Sequence, residues 1–261
     1  TSGARIIAIG RAAYDASDTE SDNIAIGFQA MTTNTAGGTR NVAVGNYALD
    51  ASSSGDFNIA MGYNALSANT TGSENVAIGD EALLTSTTAS ENTAVGFQAL
   101  KLNTSGTENC AMGRLANHKN TTANSNTAIG FHSLRETTTG GDNTAIGAAA
   151  AYTNTTGARN VALGHDALYT NATGDDNTAI GMGALYHNAA SDNTAVGMYA
   201  SKANTTGAEN VAVGFSALLD NTTGGYNTAI GASALENATT SSSNVAVGNA
   251  AMKACTTGTE N

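Results

Sequence analysis

The chain has 261 residues and a formal net charge of −11, but only 12% of its residues are charged and 5% are aromatic. It contains 30 Gly, no Pro and no Trp. An ordinary soluble domain has about a quarter charged residues, so this composition argues against an ordinary enzyme core and indicates a repeat protein. With 21 acidic against 10 basic residues, nucleic acid is excluded as a partner, because phosphate binding needs clustered cations.

Apolar runs and cysteines narrow the class further. No apolar stretch approaches the roughly 20 residues of a membrane helix, so we expect no membrane insertion. Cys110 and Cys255 lie many repeats apart, too far to form a disulfide in a linear array. We expect both to be free thiols, and Cys110 could approach copies of itself in a symmetric assembly.

One tripeptide, Ala-aliphatic-Gly, recurs along the whole chain. We call its glycine the marker glycine, and fifteen occur with a usual spacing of 17 residues, interrupted by an insertion at Gly37-Gly38 and a deletion near Ala190-Ser191. They are Gly10, Gly27, Gly45, Gly62, Gly79, Gly96, Gly113, Gly130, Gly147, Gly164, Gly181, Gly197, Gly214, Gly231 and Gly248. Seventeen residues are too few for a helical repeat, which needs about 33 or more. The sequence therefore predicts an all-β, parallel β-solenoid of about fifteen coils, with residues 1–261 forming a single array that is a fragment of a longer one.

Each coil begins with Asn in fourteen of the fifteen units, and Ile6 is the exception. We call these residues the first Asn column and predict an Asn ladder, because stacked amides can donate to neighbouring coils and satisfy turn backbone groups. The column comprises Asn23, Asn41, Asn58, Asn75, Asn92, Asn109, Asn126, Asn143, Asn160, Asn177, Asn193, Asn210, Asn227 and Asn244.

A strand follows this Asn, with Ala two residues before the marker glycine in every unit and aliphatic or β-branched residues on either side of that Ala. Since strand neighbours point to opposite faces, we expect both faces to be buried: Ala in a narrow lumen and the aliphatic residues against identical chains. The reverse assignment, with aliphatic residues in the lumen, stays open. Either way an exposed aliphatic stripe would be too large for a monomer, so a partner is expected to cover it.

The Ala-Leu pair after the marker glycine is expected to complete the core. Asn117, Ala151 and Ser201 replace its Leu and should be local soft spots, because less apolar area is buried there.

The coil then closes with an Asn-Thr-Thr-Gly turn, in which we expect Asn to cap backbone groups and Gly to supply a positive φ. We call its asparagines the second Asn column: Asn34, Asn69, Asn103, Asn120, Asn154, Asn171, Asn188, Asn204 and Asn221. Several have the glycosylation acceptor form Asn-x-Ser/Thr, but the turn requires this sequence in any case, and glycans one strand apart would be crowded.

Acidic residues precede many of the ladder asparagines, and we call them the acidic column. They are Asp22, Glu74, Glu91, Glu108, Asp142, Asp176, Asp192 and Glu209. Because the column is interrupted and lacks the motif of calcium-binding β-rolls, we interpret it as a solvated face. We predict no metal site, no cofactor site and no catalytic site, since His118, His132, His165 and His187 are irregularly placed and form no repeated constellation with nucleophiles or carboxylates.

The motif Asn-[Thr/Val]-Ala-[Ile/Val]-Gly-x-x-Ala, as in residues 92–99 and 210–217, resembles the head repeats of trimeric autotransporter adhesins. Those repeats are a few residues shorter, and the additional Asn-Thr-Thr-Gly resembles repeat arrays in bacteriophage tail fibres and large bacterial surface proteins. The resemblance covers essentially the whole chain and implies a homotrimeric extracellular, cell-surface or virion fibre. Its partners would be itself and a host-surface glycan or protein. Independently of the resemblance, the variable loop residues Phe28, Tyr47, Tyr63 and Tyr226 are either candidate contact points or ordinary surface aromatics.

Two other classes are weighed against a structural fibre. Ile-Gly-x-x-Ala-x is similar to the hexapeptide motif of left-handed β-helices, many of them acyltransferases, but a period of 17 is not three hexapeptides, and we predict that the chain is not an enzyme. The alternative function is ice binding by ranked threonines. The strand threonines Thr93, Thr127, Thr144, Thr178, Thr194 and Thr228 are interrupted by valines, so this alternative ranks below the fibre.

Overall fold

The computed structural model describes residues 5–15, 21–33 and 37–259. It divides into two compact units, residues 1–128 and 129–261. Within the described residues the regular structure consists of fifteen three-residue strands, one per repeat. They are β1 (Ile7–Ile9), β2 (Ile24–Ile26), β3 (Val42–Val44), β4 (Ile59–Met61), β5 (Val76–Ile78), β6 (Thr93–Val95), β7 (Cys110–Met112), β8 (Thr127–Ile129), β9 (Thr144–Ile146), β10 (Val161–Leu163), β11 (Thr178–Ile180), β12 (Thr194–Val196), β13 (Val211–Val213), β14 (Thr228–Ile230) and β15 (Val245–Val247).

Each unit is a parallel β-solenoid in which every strand pairs with the strands one coil before and after it. In the first unit β1 to β7 pair in sequence order, and in the second unit β9 to β15 do the same. The register places Ala on Ala in every pair, as in Ala60 with Ala77. The predicted fold class is therefore confirmed.

Alanine, not the aliphatic residues, faces the lumen. From β2 to β15 the central Ala of each strand is buried while both its neighbours are half-buried or exposed. The Ala-Leu pair after the marker glycine is also buried, as at Ala65 and Leu66. A lumen filled by these Leu side chains has room on the strand side only for a methyl group. The open alternative, with aliphatic residues inside, is thus excluded. The aliphatic face is outward in the single chain, and its burial against identical chains stays a prediction.

The first Asn column forms the predicted ladder in each unit. The Asn75 side-chain Nδ2 donates to the Oδ1 of Asn58 at 3.1 Å and to the Ala89 carbonyl at 2.8 Å. The same Oδ1 of Asn58 accepts the backbone N–H of Asn75 at 3.0 Å. The pattern repeats in the second unit, where Asn227 contacts Asn210 in the same way at 3.1 Å. Each ladder amide therefore hydrogen-bonds to backbone groups, in place of a main-chain partner, and also to the amide of the neighbouring coil.

The second Asn column closes its own turns. The Asn69 Oδ1 accepts the backbone N–H of Gly72 at 3.0 Å and its Nδ2 donates to the Gly72 carbonyl at 2.9 Å. Amides also connect neighbouring coils, as between Asn171 and Asn154 at 3.1 Å. Capping by this column is confirmed for the described residues, and Asn34 lies outside them.

The prediction that the turn glycines supply a positive φ is wrong. Gly72, Gly106 and Gly157 are not among the residues with positive φ. A Cβ on Gly72 would instead collide with the carbonyl oxygen of Ala89 in the next coil. Close approach of the next coil, rather than backbone conformation, favours glycine here.

Positive φ occurs at the marker glycine and at three non-glycine positions in most coils. Gly62 has a φ of 141°, whereas Asn64, Leu66 and Glu74 have values of 53°, 52° and 61°. These three lie two and four residues after the marker glycine and immediately before the ladder Asn. Left-handed residues between right-handed ones turn the backbone N–H groups toward neighbouring coils, so Asn64 N–H donates to the Asn46 carbonyl at 3.1 Å and Leu66 N–H to the Ala82 carbonyl at 2.9 Å.

Candidate functional site

The outward side of the strands forms an apolar face. In β4 the side chains of Ile59 and Met61 flank the buried Ala60, and Met61 is 41% exposed. In β5 Ile78 is 37% exposed. The second unit repeats this arrangement, with Ile146 41% and Ile230 40% exposed. Parallel register aligns these residues in columns along each unit.

The residue after the marker glycine extends the apolar face. This position is variable, but large apolar residues occupy it in both units and are exposed there. They are Tyr63, Phe97, Phe131, Met182, Met198 and Phe215. Charged residues also occur at this position, as Asp80 and Arg114. Contiguous exposed apolar surfaces of this kind are typical of interaction sites rather than of monomer surfaces.

The strand threonines lie on the same face but do not form a separate rank. Thr93 in β6 is half-buried between coils that carry Val76 and Cys110 at the same position. The turn threonines use their hydroxyls internally: Thr104 Oγ1 donates to the Thr121 carbonyl at 2.9 Å, and Thr205 Oγ1 to the Thr222 carbonyl at 2.8 Å.

The asparagines of the second column that have the glycosylation acceptor form are fully buried. Asn69, Asn103, Asn120, Asn154, Asn171, Asn204 and Asn221 have no exposed surface. Their Nδ2 atoms donate to carbonyls, as Asn103 does to Gly106 at 2.9 Å. The folded coils therefore do not present these amides for modification.

The acidic column is solvated, as predicted. Glu74, Glu91 and Glu209 are exposed. Two members pair with arginines one coil away: Asp22 bonds to Arg5, and Asp176 to Arg159 at 2.7 Å. In each case the arginine hydrogen bond lowers the carboxyl pKa. Among the described residues, no group of three or more His, Cys, Asp or Glu side chains is arranged to hold a metal ion.

The cysteines, histidines and predicted contact aromatics are distributed over both units. Cys110 and Cys255 are free thiols, and Cys110 opens β7 on the apolar face. Phe28, Tyr47 and Tyr63 form an edge-to-face row with ring centroids 5.3 and 6.0 Å apart. Tyr226 is exposed and lies beside a ladder asparagine, not in that row.

The soft-spot residues are buried without Leu. The side-chain amide of Asn117 and the hydroxyl of Ser201 are buried and have no hydrogen-bond partner among the described residues. Ala151 is buried with a smaller side chain. Unpaired buried polar groups cost free energy, so the predicted local loss of stability has a second cause besides lost apolar area.

Sequence reasoning missed a tyrosine stack five residues after the marker glycines of the second unit. Tyr152, Tyr169 and Tyr186 stack with centroids 5.1 and 5.0 Å apart and interplanar angles of 7°. Burial raises the pKa of the Tyr169 phenol, and the neighbouring Tyr186, Tyr152 and Asp166 add to the rise. The 17-residue spacing of three tyrosines was the available signal.

Comparison of the chain with protein-family models, curated proteins and solved structures finds no match. Within the described residues, no helix has the length and apolar character needed to cross a membrane.

Proposed function

We propose that this chain is a structural, non-catalytic fibre segment whose copies associate through the apolar face. The observation that carries the proposal is the alternation of each strand: a fully buried Ala between two outward aliphatic or β-branched residues, repeated along each unit. Burying such surface is favourable by about 25 cal/mol per Å², and in-register repetition lets identical chains bury it in the same way coil after coil.

The assembly we propose is a homotrimer at a cell surface, outside the cell or on a virion. The resemblance to adhesin head repeats and tail-fibre arrays supports this oligomeric state and location. Backbone and Asn-ladder bonds between coils support a stiff element, and the repeated outer positions support multivalent contact with a host-surface glycan or protein.

Solution mass tests the proposal directly. Size-exclusion chromatography with light scattering is expected to give a mass of three chains, and electron microscopy an elongated particle. Ile78→Lys introduces a charge into the apolar face and is expected to shift the mass toward one chain. Thr71→Lys adds the same charge at an exposed turn residue and should leave the mass unchanged.

A mass of one chain for the unmodified protein would overturn self-association. Ice binding, the alternative, would then be tested by thermal hysteresis of the same sample. The engagement of the turn hydroxyls by carbonyls, as at Thr104, leaves fewer ranked hydroxyls for ice and argues for the fibre.

A further inference from the structure

The second unit contains a surface notch with a volume of about 490 Å³, and Gly183 is among the residues that line it. Two residues after the marker glycine every other coil carries a side chain, but here the position is glycine. Asp166 in the preceding coil and Tyr199 in the following one occupy the same position of the repeat as Gly183, and both line the notch.

Aromatic rings form two sides of the notch. A Cβ on Gly183 would meet the Tyr199 ring at 2.9 Å, so this ring leans over the glycine. The tyrosine stack ends here as well, because Lys202 stands where a fourth tyrosine would follow Tyr186. Aromatic surfaces beside a cavity, together with convergent polar groups, are typical of small-molecule sites.

Polar side chains line the remaining walls. The His165 Nδ1 lies 3.0 Å from the Asp166 carboxylate, and His187 approaches Tyr186 edge to face at 4.6 Å. These groups can donate to and accept from hydroxyls.

Lys202 brings a cation that no carboxylate neutralises among the described residues. Its ammonium lies 4.8 Å from the Tyr199 ring centroid and 5.9 Å from that of Tyr186. The lysines at the same position in other coils are paired: Lys101 with Glu81 at 2.7 Å and Lys253 with Glu236 at 2.9 Å. The ammonium of Lys202 is thus available to a ligand anion at the mouth of the notch.

We propose that the Gly183 notch binds a hexopyranose ring that carries a carboxylate. The apolar C–H face of the sugar packs on Tyr199 and Tyr186, its hydroxyls bond to Asp166 and the imidazoles, and its carboxylate pairs with Lys202. The site is built within one chain, but Met182 of the apolar face is among its lining residues, so self-association through that face would border the notch.

Saturation-transfer NMR with two matched probes, methyl glucuronide and methyl glucoside, tests this site. The probes differ only in the carboxylate at C6. The unmodified protein is expected to bind methyl glucuronide with a dissociation constant on the order of 1 mM and the glucoside about threefold to fivefold more weakly, as suits a partly exposed ion pair. Equal binding of the two probes, or no saturation of either, would overturn the proposal.

Two further variants introduce residues that other coils carry at the same position, so that loss of binding is not caused by loss of the fold. Gly183→Asn copies Asn64, which has a positive φ at the same position. Its side chain would displace the Tyr199 ring and occupy the notch, so both probes should lose binding. Tyr199→Ala copies Ala149 and should also abolish binding. Persistent saturation in both variants, with circular dichroism unchanged, would place binding elsewhere and overturn the assignment.

The charge is tested separately. Lys202→Gln should remove the preference for methyl glucuronide and retain weak binding of both probes. Lys101→Gln, which removes a paired lysine in the first unit, is the matched control and should change neither. Light scattering of the same samples reports self-association, so failure of the sugar site and failure of the fibre proposal are distinguishable.

Discussion

The two Asn columns differ in how strictly the chain keeps them. The first column is unbroken from Asn23 to Asn244, whereas in the second Ser17, Ser52, Ser86, Thr137, Ala238 and Cys255 stand in place of asparagine. In the first column the amide oxygen accepts the backbone N–H of the next ladder residue, as Asn75 does for Asn92 at 3.1 Å. In the second column the amide mainly closes its own turn. A side chain that substitutes for part of the main-chain ladder is therefore kept, and one that serves a local turn is replaceable.

Removing a ladder amide should have the largest effect. Asn75→Ala removes donations to Asn58 and Ala89 and leaves the Asn92 backbone N–H without its acceptor in a fully buried site. We expect a loss of about 3–5 kcal/mol in the free energy of unfolding, measured by chemical denaturation. Asn64→Ala, at an asparagine outside both columns, is the control, and similar losses for the two variants would show that the ladder amide has no special role.

An unpaired asparagine should behave in the opposite way. Asn117 occupies a Leu position with a φ of 46°, close to the 49° of Leu100, and its buried amide has no partner among the described residues. Asn117→Leu should raise the free energy of unfolding by about 2 kcal/mol. Asn117→Ala should gain less because it leaves a cavity. A loss of stability on changing Asn117 to Leu would show that its amide is paired in solution.

Filling a gap in the second column should produce a smaller gain. Ser86 lies between Asn69 and Asn103, and its hydroxyl is buried without a partner among the described residues. Ser86→Asn should stabilise the chain by about 1 kcal/mol. The new amide would donate to the carbonyl of Ala89, three residues later. An alanine can accept this hydrogen bond, since Asn120 donates to the Ala123 carbonyl at 3.0 Å. The reverse change, Asn103→Ser, should be destabilising, and thermal melts of the two variants should move in opposite directions.

Acidification should weaken the ion pairs but not the amide ladders, and its effect on stability should be the smallest of the four predicted here. Hydrogen bonds from Lys101 and Gln98 lower the pKa of Glu81 below its ordinary value of 4.5. The folded state therefore binds this proton less readily than the unfolded state, so the contribution is present above about pH 4.5 and is lost as pH falls through the lowered pKa. Glu81→Gln should flatten the stability profile in that acidic range while leaving the ladders intact. A profile identical to that of the unmodified protein would mean that the Glu81 pair does not form in solution.

Much of the fold is predictable because the fifteen repeats carry the same residue types at the same positions. The 17-residue period, the strand tripeptides, the Ala and Leu core and the Asn ladder all follow from columns of identical residues. The positive φ values of Glu74 and Leu66 do not follow from the sequence, because neither residue type favours that conformation in isolation. They are imposed by bonds to neighbouring coils. The Gly183 notch could not be predicted from the sequence for a related reason. In a glycine-rich sequence, a single glycine indicates a binding site only when the residues around it in space are known.

The sequence by itself determined the period, the parallel in-register stacking and the residues available to each column, since side chains of one kind at constant spacing can only line up. The tertiary structure decided which strand face points inward. Alanine faces the lumen because the space left by the stacked Leu side chains admits only a methyl group there, and the aliphatic residues are consequently on the outside. Packing likewise explains why the turns need glycine, since an added Cβ would collide with the next coil. It also brought Asp166, Tyr186, Tyr199 and Lys202 around one notch.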